Sequence, residues 1–379
     1  MRICQITSMH DWSDDRIYQR ACEGLARSGH EVFLVATEGD KKPDATTAVK
    51  FIWLKRRKGV RRRLLSSREA VLRAISLNAD IYHFHDPDLL PFIGMIKRRK
   101  PSSKVVYDIH ENYAGRFQMW GVPKVISSLL SKSFRNFELR TINNIDGYTV
   151  VSESMKKIFE KAQKPGVIIR NSTDIERLRN IEFETNKNTA AVGRIIYTSG
   201  TNSPERNCLQ TLQALPEILA YHPEARMVFA GRYTSGIKER LMQWAQHNNV
   251  SAQVKLDGML PWEENFHRTI NAFCGCVFYA DNPNNRVGIP NRLFEYMYCG
   301  IPILVSDFPE LRKIVEDTGC GIIVDSENPK GIAAGVKRLL DDPVEASAMG
   351  KRGKDAIIDK YGFHIDLKRM IDFYEEILH

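Results

Sequence analysis

The segment DNPNNRVGIPNRLFEYMYCGIPILVSD, residues 281–307, sets a polar loop against a short helix and then an apolar strand. Pro290 suits the first turn of a helix carrying Asn291 to Met297, where its missing N–H is not needed. That helix start presents unpaired N–H groups and the positive end of a dipole, a seat for an anion. Arg292 adds a full charge that can hold phosphate through two hydrogen bonds. Glu295, one turn on, can accept hydrogen bonds from two neighbouring hydroxyls. Phosphate beside a vicinal diol describes the diphosphate and ribose of a nucleotide. Taken alone, the same residues would also make an ordinary Arg/Glu surface pair.

A second segment points the same way. YTSGTNSPERNCLQTLQAL (197–215) reads as strand, glycine loop and helix, with Gly200, Ser203, Pro204 and Arg206 in the loop. A basic residue at a helix start opposes the dipole unless an anion sits there, so Arg206 is a second diphosphate ligand. His110 in YDIHEN closes a predicted strand and, by itself, reads as a core or loop histidine. His83, His85, Asp86 and Asp88 in HFHDPD are metal-ligand types, but Pro87 breaks any helical i, i+4 pairing. A cleft-lining or structural role is expected of them.

The elements that must position these residues follow from periodicity. RICQIT, EVFLVA, FIWLK, IYHFH, VVYDIH and GYTVVS are strand candidates in the first half. Amphipathic stretches such as DDRIYQRACEGLARSG lie between several of them, with Gly29 as a C-cap. A polar break spans 180–193, and the rhythm restarts with RIIYTSG, ARMVFAG, VKLDG, GCVFYA, IPILVSD and GCGIIVD. Alternating β and α predicts α/β architecture: two doubly wound, Rossmann-like halves facing each other across a cleft. Ligands of such sheets bind beyond the carboxyl ends of the strands.

Composition bounds the rest. A chain of 379 residues favours two domains, and 43% hydrophobic with 27% charged residues is ordinary for a globular protein. Seven scattered cysteines, without a second Cys or His pair at zinc spacing, read as reduced core thiols. No apolar run approaches a bilayer span and the N-terminus lacks a signal-peptide pattern, so the cytoplasm is the expected location. The net charge of +9 concentrates in KRRKGVRRR (55–63) and KRRK (97–100). Solvated loops explain such runs, and so does an anionic membrane surface. No recognised module accompanies a nucleic-acid reading. RFQMWGVPKVISSLLSKSFRNFELR (116–140) mixes Phe117, Met119, Trp120, Val122, Leu129 and Leu130 with basic residues. It is either a helix on its own core or an interfacial surface, peripheral on the inner face of the plasma membrane.

PNRLFEYMYCGIPILVSDFPEL resembles the donor-binding signature of family 4 glycosyltransferases, retaining enzymes of the GT-B fold, and GTNSPERN resembles that family's phosphate loop. DIYHFHDPDLLP, VVYDIHENY and DDRIYQRACEGLARSGHEVFLVA are similar to its N-terminal half. The resemblance implies an acceptor-binding domain at 1–185, a nucleotide-sugar-binding domain at 186–362, and a helix at 363–379 crossing back to the first. It implies transfer of a hexosyl group from a nucleotide-sugar, UDP first and GDP next, to a glycan or lipid-linked acceptor in polysaccharide biosynthesis. No cofactor and no metal is required.

Carried over by position, the ribose-binding glutamate is Glu295, and the donor site comprises Gly200, Thr201, Arg206, Gly288, Ile289, Pro290, Asn291 and Arg292. His110, Arg206 and Arg292 are the expected catalytic residues, with His110 at the donor sugar. Asp14, Asp15, Arg16 and Glu111 are the expected acceptor-binding residues. Two positions depart from the family. Val287 stands where a carboxylate faces the donor sugar, with Asp281, Asn282 or backbone amides as substitutes, and Thr201 replaces an arginine, with Arg292 as substitute. These departures keep open a non-catalytic scaffold subunit, and the fold keeps open a nucleotide-sugar epimerase.

Overall fold

The computed structural model describes residues 1–39, 42–55, 60–119, 121–179 and 195–379. The polar break at 180–193, the predicted boundary at 185/186, residues 56–59 of the first basic run and Trp120 lie outside the described residues. The chain forms two compact units, Met1–Asn171 together with Phe363–His379, and Ser172–Gly362.

The first unit is built on seven strands: β1 (Arg2–Asp11), β2 (Glu31–Thr37), β3 (Lys50–Leu54), β4 (Ile81–Phe84), β5 (Lys104–Ile109), β6 (Gly147–Val150) and β7 (Gly166–Ile168). All pair in parallel, in the order β3-β2-β1-β4-β5-β6-β7. Central strands such as IYHF are buried on both faces, which is why they read as continuous apolar runs. Because crossovers are right-handed, the links running outward from β1 to β2 and from β4 to β5 put helices on opposite faces. β7 was not anticipated; its three residues at the sheet edge carry too little pattern.

β1 also runs past the predicted RICQIT. Asp86 Oδ2 accepts from the Thr7 hydroxyl at 2.6 Å and from the Ser8 and Met9 amides at 2.6 and 3.0 Å. That carboxylate holds the strand extended where its pairing register slips. The helix Phe363–Leu378 belongs to this unit, burying Met370, Phe373, Tyr374 and Ile377 against Cys22, Leu25 and Ile169.

The second unit carries β8 (Ile195–Asn202), β9 (Arg226–Tyr233), β10 (Val254–Leu256), β11 (Cys274–Val277), β12 (Ile303–Ser306) and β13 (Gly321–Val324). They form a parallel sheet in the order β10-β9-β8-β11-β12-β13. Alternation sends Tyr197, Val228, Val277 and Val305 into one core and Ile196, Phe229, Cys276 and Leu304 into the other.

The predicted glycine loop begins inside β8, which runs through Gly200 and Thr201 to Asn202. Gly200 and Gly231 pair with φ of 100° and 121°, and a Cβ on Gly231 would lie 1.9 Å from the Gly200 carbonyl oxygen. Only glycine permits that approach, and it lets the ladder continue to Asn202 opposite Tyr233. All seven cysteines are unpaired, and among the described residues no helix is long and apolar enough to cross a membrane.

Candidate functional site

In the second sheet the strand order reverses between β8 and β11, which opens a crevice at their carboxyl ends. Two helix starts reach it. A 3-10 turn at Pro204–Arg206 follows β8, and Asn207, at φ 50°, turns the chain into the next helix. Opposite, the helix Asn291–Tyr298 begins after an extended Pro290, with no side chain capping its start.

Between them stands Tyr279, two residues beyond β11. The Arg206 guanidinium lies 4.1 Å from its ring centre and donates to its hydroxyl, while Arg292 lies 5.1 Å from the same ring. Neither arginine has a carboxylate partner among the described residues. Burial, and then the charge of Arg292, draw the Arg206 pKa below its ordinary value although Tyr279 opposes the shift. Glu205 opposes the shift more weakly, and two cations without an ion-pair partner at a sheet edge make a positive field.

Arg292 does not present the two-pronged grip expected of it. It is 6% exposed, and it donates to the Ser199 carbonyl at 2.8 Å and the Phe278 carbonyl at 3.1 Å. Its Nε is buried without a hydrogen-bond partner. Strands that diverge at the switch point leave such carbonyls without a ladder partner, and Arg292 satisfies them. Its contribution to the crevice is charge rather than a fork.

The other predicted donor residues are distributed around this pair. Glu295 is half-buried one turn further along the helix, and Ile289 is in the core. Thr201 pairs with Arg232 within the sheet. Gly288 donates to the Asn284 carbonyl at 3.2 Å in the turn that precedes Pro290 and Asn291. The proposed stand-ins for Val287 are committed to that turn: Asp281 is ion-paired with Arg286, and Asn282 Oδ1 accepts from the Asn284 and Asn285 amides.

Sequence reasoning missed Tyr279 and Tyr296. The Tyr296 hydroxyl accepts from the Ser199 amide at 3.0 Å and bonds its hydroxyl at 2.9 Å. It also missed a run of hydroxyls along the strand ends. The Tyr279 amide donates to Ser306 Oγ, which lies 2.6 Å from Ser326 Oγ, and Asn207 donates to Ser326 at 3.0 Å. For Ser306 the available signal was position, since it follows the last apolar residue of the predicted strand IPILVSD; Tyr279 lay inside a predicted strand and Tyr296 inside a predicted helix.

In the first unit the carboxyl edge is crowded with carboxylates. Asp108, on β5, accepts from Arg16 Nε and a terminal guanidinium nitrogen at 2.8 and 2.6 Å, from Thr149 at 2.6 Å and from His85 at 2.9 Å. Burial alone would raise its pKa, but Arg16 and these donors hold it well below the carboxylate range. His110 Nδ1 stands 3.3 Å from Asp108 Oδ2 without hydrogen-bond geometry, and its Nε2 lies 3.1 Å from the Tyr113 hydroxyl.

The predicted acceptor residues already have internal work. Asp14 caps the first helix, accepting from the Arg16 and Ile17 amides at 2.9 and 3.0 Å. Asp15 pairs with Arg20 at 3.0 Å. Arg16 is a buried strut on Asp108, and it also binds Asn171 at 2.7 Å. Glu111 pairs with Arg116, so the carboxylate beside His110 is Asp108.

His83 bonds the Tyr374 hydroxyl at 2.6 Å, and His85 bridges Asp108 and Gln5. Burial lowers the pKa of both imidazoles. Asp88 accepts from Ser8 and Ser67 at 3.0 and 2.8 Å. Among the described residues no group of His, Cys, Asp or Glu is arranged to hold a metal ion.

The two parallel sheets with their switch points place the chain among α/β proteins of the GT-B fold. The pattern described as Glycosyl transferases group 1 matches residues 180–356, and that of Glycosyltransferase Family 4 matches residues 16–177. The chain belongs to glycosyltransferase family 4.

It is 22% identical over 290 residues to a glycogen synthase of Mycobacterium tuberculosis, covering 76% of this chain but 66% of that one. It is 23% identical over 319 residues to a GDP-mannose:cellobiosyl-diphosphopolyprenol alpha-mannosyltransferase of Xanthomonas campestris, covering 82% and 77%. Anabaena HepE in complex with UDP superposes with a TM-score of 0.74 at 12% identity, over 99% of this chain and 100% of that one.

Proposed function

We propose that the chain is a retaining glycosyltransferase that moves a sugar from a nucleotide-sugar, UDP-linked before GDP-linked, to a hydroxyl of a glycan or lipid-linked acceptor. The observation that carries this reading is the Arg206–Tyr279–Arg292 stack, two cations that make no ion pair among the described residues, at the switch point. A diphosphate supplies the missing charge, and UDP in a structural neighbour favours uridine as the first nucleotide to test.

The second unit is the donor side and the first unit the acceptor side. Arg206 contacts the diphosphate, Arg292 adds field from beneath, and the Asn291–Tyr298 helix start adds its dipole. Glu295 accepts from the ribose hydroxyls. As the bond between the anomeric carbon and the diphosphate breaks, charge grows on the leaving oxygen, and the arginines stabilise it there more than in the ground state. The acceptor oxygen bonds to the same carbon from the same face and its proton passes to the leaving diphosphate. No covalent nucleophile is required. His110 contacts the donor sugar.

UDP-, GDP- and ADP-sugars, screened by thermal shift on the native chain and on Glu295→Ala, test the reading. A rise in Tm with one nucleotide, diminished in the variant, is expected. No rise with any of them moves the chain to the non-catalytic scaffold reading, and turnover without acceptor would make it an epimerase.

The location is read as cytoplasmic with peripheral attachment, supported by the helix Lys124–Asn143. Val125, Ile126, Leu129 and Leu130 are exposed by 72, 49, 61 and 41% along one stripe, and Lys124, Lys132 and Arg140 flank it. Apolar surface bordered by cations fits an anionic bilayer holding a lipid-linked acceptor. Flotation with anionic liposomes should capture the native chain at low salt and release a Val125→Glu/Leu129→Glu variant; equal flotation of both would refute the attachment.

A further inference from the structure

The switch point of the first sheet lies between β1 and β4, and His10 occupies it. Its backbone is fixed on both sides: its amide donates to Thr7 Oγ1 at 3.0 Å and its carbonyl accepts from Thr37 Oγ1 at 3.1 Å. Asp86, fully buried, stands 2.7 Å from His10 Nδ1 while its other oxygen holds the Thr7–Met9 segment. The ring is 32% exposed, packs edge-on against His110 at 5.5 Å, and its Nε2 has no partner among the described residues.

We propose that His10 is the hydrogen-bond donor of an acceptor subsite for a neutral sugar, one that disfavours a phosphorylated sugar. The inference rests on the reading of the first unit as the acceptor side. Asp86 Oδ1 faces Nδ1 as an ion-pair partner without hydrogen-bond geometry, and Nδ1 also lies 3.4 Å from the Thr7 hydroxyl, so a charged ring presents Nε2–H on its other side. Burial opposes protonation, but Asp86, with Asp14 and Glu111 behind it, raises the His10 pKa to about 9.

The groups facing the ring are Asp86 after β4, Asp14 at the start of the first helix, and Glu111 and His110 after β5. Arg116 answers Glu111, but Asp86 and Asp14 still outnumber the one imidazolium, and that balance opposes a further anion. A hydroxyl meets both demands, since it accepts from Nε2–H and donates onward without bringing charge. The second unit's edge, two arginines that make no ion pair with a carboxylate among the described residues, has the opposite preference.

The test reads histidine ring resonances of the full chain, saturated with UDP, with His10 assigned through His10→Gln. Methyl α-glucoside, methyl α-galactoside, methyl α-mannoside, glucose 6-phosphate and inorganic phosphate are added separately. At least one glycoside should shift the His10 signal saturably and neither phosphate should. His10→Gln should weaken that glycoside by about tenfold, the value of one charge-assisted hydrogen bond.

A larger shift with either phosphate, or no shift with any glycoside, overturns the proposal. The wild-type titration decides even if the variant folds poorly. Failure of UDP to raise the Tm would sink the nucleotide reading separately and leave the glycoside result standing on its own.

Discussion

The two sheet edges share a topology and differ in sign. Each unit reverses strand order beside its first strand, and each crowds polar side chains at the carboxyl ends there. In the second unit Arg206 and Arg292 share one tyrosine and make no ion pair with a carboxylate among the described residues. In the first, Asp86 and Asp108 are fully buried, and each is answered by a cation and several donors. The fold therefore fixes where a ligand meets the sheet, and charge fixes which ligand it is. An edge that closes its own ion pairs is stabilised by them. An edge that leaves cations facing one another gives up stability that an anionic ligand restores.

Asp108→Asn breaks the comparison on its stabilising side. It leaves the Arg16 guanidinium, 12% exposed, without its counter-ion, and truncating one member of a buried pair costs about 3–5 kcal/mol. The loss should appear in the denaturation of the first unit, with the Tm increment from UDP retained. Because the folded pKa of Asp108 is depressed, its contribution is present above the ordinary carboxylate value and is lost as pH falls below it. The gap between native and variant chains should therefore close only in acid. A gap unchanged down to acid pH would mean that the ion pair is not its source.

Arg206→Met breaks the other side and should give the reverse pattern. Removing one donor aimed at developing charge typically lowers turnover by about 10²–10³-fold. Folding stability should hold or rise, since the variant relieves like-charge repulsion against Arg292. UDP should no longer raise the Tm. A variant that binds UDP as the native chain does would remove Arg206 from the site.

What the sequence made legible follows from how many residues carry each signal. Among the described residues twelve of the thirteen strands coincide with predicted runs, most plainly the central ones such as β11 and β12, whose burial on both faces makes them apolar, and less so the edge strands β3 and β10. The helix after Pro290 was visible from loop chemistry alone. The extension of β8 through Thr201 was not, because a glycine before a helix reads as a turn unless its partner, Gly231, is known to lie opposite. The use of Arg292 was hidden for the same reason: its carbonyl partners come from residues 93 and 14 positions away. Asp108 rather than Glu111 stands beside His110 because strand alternation turns Asp108 toward Arg16 from the first helix. His10 carried no motif, and only the Asp86 contact across 76 residues of chain marks it.

Glu138 sharpens the comparison, because it is a third buried carboxylate of the first unit with far fewer donors. It lies on the Lys124–Asn143 helix and meets Arg135 at 3.0 Å and the Tyr107 hydroxyl at 3.4 Å. Burial pushes its pKa up to about 7, and Arg135 and Tyr107 offset only part of that rise. A raised folded pKa gives stability in full below the unfolded value of 4.5, and that stability is lost as pH climbs through 7. Ionised Glu138 should thus cost roughly 2–3 kcal/mol at pH 8 relative to acid. Glu138→Gln keeps the shape and both hydrogen-bond partners but cannot ionise. Its stability should match or trail the native chain near pH 5 and exceed it by about 1–2 kcal/mol near pH 8. Parallel stability profiles across that range would show that Arg135 and Tyr107 suffice for Glu138 as the fuller donor sets do for Asp86 and Asp108, and that donor number does not decide which buried carboxylate stays charged.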